Sequence, residues 1–239
     1  MAKLPALVSG IAKVDGRPRE AVDHIARVIR ERGYITTGKR GGGAAEMTPR
    51  EAANLLIALN GADSAKEAPA AIDRFRSLRK LAPCNKENID PDHYDLYPEA
   101  IKNVIDVDTF GEALDSLIEN VPDLVSSFHQ YFCETYQVSD DVFWDMIRGE
   151  AFGLDVTFMR YAVAIELYTR QRDGRRVEFS VTYMKDLERD ASFYGLAWSD
   201  RRIEITIGMP TLIAAWRALH PGETLPGIPN GAFDSTAAA

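Results

Sequence analysis

No long apolar run occurs anywhere in the 239 residues. A bilayer-spanning helix needs roughly 20 consecutive apolar residues, so no membrane association is expected. The opening MAKLPALVSGIAKVDG lacks the apolar core of a secretory leader, and the expected location is cytoplasmic. Cysteine is scarce. Cys84 and Cys133 lie far apart, and in a reducing compartment both are expected as free thiols. Catalytic signatures are also missing, with no serine-nucleophile motif and no paired-carboxylate pattern. The run GKRGGG puts Lys39 ahead of its three glycines with no Ser or Thr behind it, the wrong order for a phosphate-binding Walker loop. Glu46, just after it, would sit poorly beside a pyrophosphate. The expectation is a protein without enzymatic activity, cofactor or metal.

Two segments hold ligand-type residues and have plainer readings. DPDHYD groups Asp90, Asp92, His93 and Asp95, but the glycine and terminal Glu of a calcium loop are absent, so an acidic surface loop is expected. His129 and Cys133 stand one helical turn apart, yet SSFHQYFCETY reads as an amphipathic core helix with a buried cysteine. The large aromatics Trp144, Phe152, Phe158, Tyr161, Tyr168, Tyr183, Trp198 and Trp216 are expected in a core.

Hydrophobic residues make up 46% and charged residues 27%, a globular balance. The formal charge of −8 is unevenly distributed. Residues 1–80 carry 15 Lys and Arg against 9 Asp and Glu, a net +6, whereas 81–239 carry 13 against 27, a net −14. A basic front suits a polyanion and an acidic rear repels one.

The front reads as helices. Leu4, Leu7, Val8 and Ile11 recur at helical spacing, and Gly16 allows a left-handed turn. Pro18 suits the first turn of a second helix, which buries Val22, Ile25, Ala26 and Ile29 and exposes Arg19, Asp23, Arg27 and Arg30 until Gly33 stops it. YITT and AAEMT around GKRGGG read as a β-hairpin. Thr48 caps a helix with Pro49 at its first position, closing at Gly61. Ser64 and Glu67, at capping-box spacing, open another helix running through SLRKL. Residues 82–108 read as an acidic connection with little periodicity. Helices follow in TFGEALDSLIEN, DLVSSFHQYFCETYQ and SDDVFWDMIRGEA. LDVTFMRYAVAIELYTR and RRVEFSVTYMKD read as long strands joined at QRDG, with RRIEITIG as a third strand and MPTLIAAWRALH as a last helix.

Ala12, Gly16 and Val22, with Ile25 behind them, have the small–glycine–aliphatic spacing that lets two helices cross closely around a sharp turn. With RVIRERGYITTGKRGGGAAEMT following, residues 4–60 resemble the winged helix-turn-helix superfamily of bacterial transcription regulators. Asp15 stands where the family usually carries an aliphatic residue, and the helix from Thr48 is expected as a packing partner of the pair. The resemblance implies a recognition helix in the major groove and a wing against the sugar-phosphate backbone. It assigns duplex contacts to Arg17, Arg19, Asp23, His24 and Arg27, and wing contacts to Thr36, Thr37, Lys39, Arg40, Gly41 and Gly42.

The expected class is α+β. Its parts are a winged helix-turn-helix DNA-binding domain over 1–81, an acidic linker over 82–108, an antiparallel α+β domain over 109–220 and a disordered tail over 221–239. The expected function is a sequence-specific transcription regulator of phage or mobile-element type. It would bind double-stranded DNA and form a homodimer through the C-terminal domain. The alternative is a protein-interaction factor, such as a phage-encoded inhibitor or assembly protein, whose winged fold binds a protein partner.

Overall fold

The computed structural model describes residues 3–36, 46–81, 97–171, 174–185 and 203–232. Helices α1 (Leu4–Asp15), α2 (Arg19–Glu31), α3 (Pro49–Asn60) and α4 (Ala68–Arg76) lead to a two-residue strand, β1 (Arg79–Lys80). Helices α5 (Glu99–Asp106), α6 (Phe110–Glu119), α7 (Val121–Tyr136) and α8 (Asp140–Arg148) follow. Strands β2 (Phe152–Phe158), β3 (Ala162–Gln171), β4 (Gly174–Met184) and β5 (Ile205–Ile207) precede α9 (Met209–Leu219). This is a mixed helix-and-sheet fold, in agreement with the α+β class.

All strand pairs are antiparallel, in the order β1-β4-β3-β2-β5. Alternation sends Leu154, Val156 and Phe158 of β2 to one face beside Leu167, Ile165 and Val163 of β3. Phe179, Val181 and Tyr183 of β4 continue those three rows. The other face is polar: Asp155 pairs with Glu166, Glu166 with Ser180, and the Thr157 and Thr206 hydroxyls meet at 2.9 Å. One face therefore meets the helices while the other carries the charge. The unbroken run LDVTFMRYAVAIELYTR is two strands, because it reverses at 159–161, where the Met159 amide donates to the Ala162 carbonyl.

α3 is the hub. Glu51 through Asn60 are all buried, and α2, α4, α6 and α9 pack around it. α3 thus supplies the expected packing partner of α2, while α1 lies along α9 from the far end of the chain. A methyl at Gly10 would come 3.3 Å from the Ala214 carbonyl, a tight contact that glycine avoids at this crossing.

The boundaries around 82–108 are not marked by a gap in packing. Residues 82–96 lie outside the described residues, but Ala100, Ile101, Val104 and Ile105 of the expected linker form the buried face of α5. The buried cluster runs from Leu7 to Ile228 across all the described helices and the sheet. The helix expected through SLRKL stops at Arg76, because Lys80 and Leu81 donate to the Asp108 and Thr182 carbonyls instead. Ser64 and Glu67 form only the turn before α4, through the Glu67 amide and the Ser64 carbonyl. The tail expected to be disordered is packed as far as it is described: Leu225 and Ile228 are buried, and Arg217 donates to the carbonyls of Ile228 and Pro229. Residues 233–239 lie outside the described residues. Trp144, Phe152, Phe158, Tyr168, Tyr183 and Trp216 are buried as expected; Tyr161 is half-buried and Trp198 lies outside the described residues.

Candidate nucleic-acid interface

The turn between α1 and α2 is made by Gly16 in the left-handed region, φ 77°, where an L side chain is strained. Asp15 stands beside it. Its side chain is 4% exposed, and its Oδ2 is buried without a hydrogen bond. Burial pushes its pKa up, against the opposing pull of Arg17, whose Nε lies 3.2 Å away. The same guanidinium donates to Asn60 Oδ1 at 3.2 Å. Arg17, its side chain half-buried, therefore ties the turn to the end of α3.

α2 buries Val22, Ala26 and Ile29 and exposes Arg19, Asp23, His24 and Arg27. Arg19, Asp23 and Arg27 form a row at four-residue spacing, with Arg27 Nη2 3.0 Å from Asp23 Oδ2. An exposed pair of this kind contributes little to stability and leaves both groups free to meet a ligand. Gly33, at φ 85°, closes the helix as the Tyr34 amide reaches back to the Ile29 carbonyl.

Neither described flank of the expected hairpin, 34–36 or 46–48, is strand. Thr37, Lys39, Arg40, Gly41 and Gly42 lie outside the described residues. What joins the flanks is Glu51, only 6% exposed. Its Oε1 accepts from the Thr36 amide at 2.6 Å; its Oε2 accepts from the Thr48 amide at 2.8 Å and the Thr48 hydroxyl at 3.1 Å. Burial alone would raise this carboxyl, but the hydrogen bonds from Thr36 and Thr48 outweigh it and hold the pKa below the ordinary 4.5. The capping box at Thr48 thus doubles as a clamp on both ends of the segment that contains GKRGGG. The T-x-x-E spacing in the sequence signals the cap but not its reach to Thr36.

Three other arrangements fall outside the sequence-based assignments. On the polar face of the sheet, Arg175 Nη2 lies 3.1 Å from both Asp155 Oδ2 and Glu166 Oε2, over the Tyr168 ring. Burial and the nearby Asp155 push the Tyr168 hydroxyl up to about 12, so it stays protonated at neutral pH. At one end of the helical layer a groove of about 900 Å³ is lined by Phe128, Tyr131, Phe132, Tyr136, Phe152 and Val177 among others. Tyr131 and Tyr136 are 51% and 60% exposed there. Finally, His129 and Cys133 are joined by Asp140 in a cluster whose donor atoms all lie within 4.8 Å of one another.

No protein-family model, no curated protein and no solved structure matches the chain. No described helix is long and apolar enough to cross a membrane.

Proposed function

We propose that the chain is a sequence-specific DNA-binding transcription regulator that lays the exposed face of α2 in the major groove. The observation that carries this reading is the α1–α2 unit itself. A left-handed glycine sets the turn, an apolar stripe fixes α2 on the body, and Arg19, Asp23, His24 and Arg27 share the outward face. An Arg there can take guanine O6 and N7 in a two-point contact, and Asp23 can accept from a cytosine amine. In this reading the segment clamped by Glu51 takes the place of the wing, with Lys39 and Arg40 meeting phosphates. Two half-sites call for two copies, so the regulator acts as a homodimer through its acidic C-terminal half.

DNA affinity should fall steeply with salt, because neutralised phosphates release counterions. Retention of the full chain on mixed genomic fragments, measured across a salt series, is the test. Arg19→Ala should relax sequence preference, costing about 1–3 kcal/mol on a preferred site. Lys39→Glu with Arg40→Glu should weaken binding to every sequence. Absence of salt-sensitive retention overturns the reading. A protein-interaction factor is the second reading, favoured by the open tyrosines of the aromatic groove.

A further inference from the structure

We propose that His129, Cys133 and Asp140 form a transition-metal site, with zinc as the ion the donor set suits best. The site is independent of the DNA reading. His129 and Cys133 project from one side of α7, four residues apart. Asp140 is the first residue of α8 and returns to them because Gln137, at φ 53°, turns the chain back on itself.

The decisive feature is which atom faces which. His129 Nε2 lies 2.8 Å from Asp140 Oδ1 and 3.4 Å from Cys133 Sγ. In a cysteine–histidine–aspartate nucleophile the base uses one ring nitrogen for the thiol and the other for the acid. Here both partners converge on the same nitrogen, so no relay runs through the ring. The three donor atoms instead lie within 4.8 Å of one another, close enough to surround one ion.

The spacing agrees. Bonds of about 2.0 Å to nitrogen and 2.3 Å to sulfur at a tetrahedral angle put N and S about 3.5 Å apart, against 3.4 Å found. The Asp140 oxygen has to move about half an ångström away from the ring nitrogen to stand at a tetrahedral angle to it, and to settle beside Cys133 Sγ, which lies within 4.8 Å. It can do so, because its side chain is 72% exposed. The imidazole is held more firmly, edge-on to Phe143 with ring centroids 5.0 Å apart. The Gly227 backbone lies so close that a methyl there would meet His129 Cδ2 at 2.6 Å. Thiolate, imidazole and carboxylate together favour zinc over calcium or magnesium, which take oxygen ligands. Three protein ligands leave the fourth position to water on the solvent side. On binding, the Cys133 thiol gives up its proton to solvent, and its present contact to the Val138 carbonyl at 3.4 Å is replaced by the metal bond.

The test uses the full chain carrying Cys84→Ser, which leaves Cys133 as the sole thiol, stripped with a chelator and titrated with cobalt chloride. One equivalent should bring up a thiolate-to-cobalt band in the near ultraviolet and tetrahedral visible bands, both removed by zinc chloride. Cys133→Ser should abolish the charge-transfer band. His129→Gln should weaken binding by more than the about 10–100-fold that outer-shell changes cost. Asp140→Asn, at an exposed position of nearly unchanged shape, should weaken it by at least about tenfold. A folded parent that shows no thiolate band, a band that survives Cys133→Ser, or an affinity unchanged by Asp140→Asn each overturns the site.

Discussion

Replacing Glu51 by Gln isolates the clamp that joins Thr36 to Thr48. The volume is unchanged, but one carboxylate oxygen becomes an amide that can only donate. Glu51 accepts the Thr36 amide on one oxygen and the Thr48 amide and hydroxyl on the other. Whichever way the Gln turns, its NH2 faces a backbone N–H, and a buried donor loses its acceptor. Loss of a charged acceptor and one stranded amide together cost about 2–3 kcal/mol. For a chain of this size that lowers Tm by about 4–12 °C. Acid provides an internal control. Glu51 has a folded pKa below its unfolded one, so its stabilisation is complete above the unfolded value and disappears as pH falls through the folded value. The gap between parent and Glu51→Gln should therefore be full at neutral pH and shrink on the acid side of 4.5. Urea unfolding of both proteins across that range measures it. A gap under about 0.5 kcal/mol at neutral pH, or one of constant size in acid, refutes the clamp.

Gly61→Ala should cost about 1–3 kcal/mol by overpacking, because the added methyl would fall 2.6 Å from Cδ2 of buried Phe75; the urea midpoint reports it. Arg76→Ala breaks the two-point pair with Asp115 and the contact to Asn54, and should cost about 2 kcal/mol. Because Arg76 and Asp115 lie on opposite sides of residues 82–108, unfolding should remain one transition by fluorescence and circular dichroism; two separated transitions would refute the single core. Asp15→Asn should raise stability at neutral pH, read as a higher urea midpoint than the parent's. Burial raises the folded pKa of Asp15 above its unfolded value, so its charge opposes folding, and the gain should vanish as pH falls through the folded pKa.

The elements that were legible in the sequence are those whose cause is local. Val22, Ala26 and Ile29 set the face of α2 by spacing alone, and Gly16, Gly33, Thr48 and Pro49 mark ends that the structure keeps. α5 was missed although Ala100, Ile101, Val104 and Ile105 carry helical spacing, since prolines and acids dominate that stretch. β1 had no signal to find: two residues become strand only because β4 is there to pair with. For the sites the division is the same. The exposed row Arg19, Asp23, Arg27 follows from periodicity. The inward turn of Arg17 depends on Asn60, the reach of Glu51 on Thr36, and the company of Asp140 on the turn at Gln137.

The packing of α1 changes what a DNA-binding reading means mechanically. The sequence suggests a basic module joined through an acidic linker to an acidic half. In the structure α2 is braced by α1 and α3, and both of those pack against α9, which follows the sheet. At Gly10 the α1–α9 crossing is close, with the Ala214 carbonyl 3.3 Å from where a side chain would begin. The Arg76–Asp115 pair and the Leu81–Thr182 hydrogen bond tie the two halves again on the other side of α3. In the proposed DNA-binding reading, a helix held in this way would dock on a duplex as part of a rigid body, at an angle set by the C-terminal half. Packed cores shift between discrete arrangements and do not deform smoothly. A partner or ligand on the acidic half could therefore alter DNA binding only by switching the α1–α9 contact between two packings, not by loosening a hinge at 82–108.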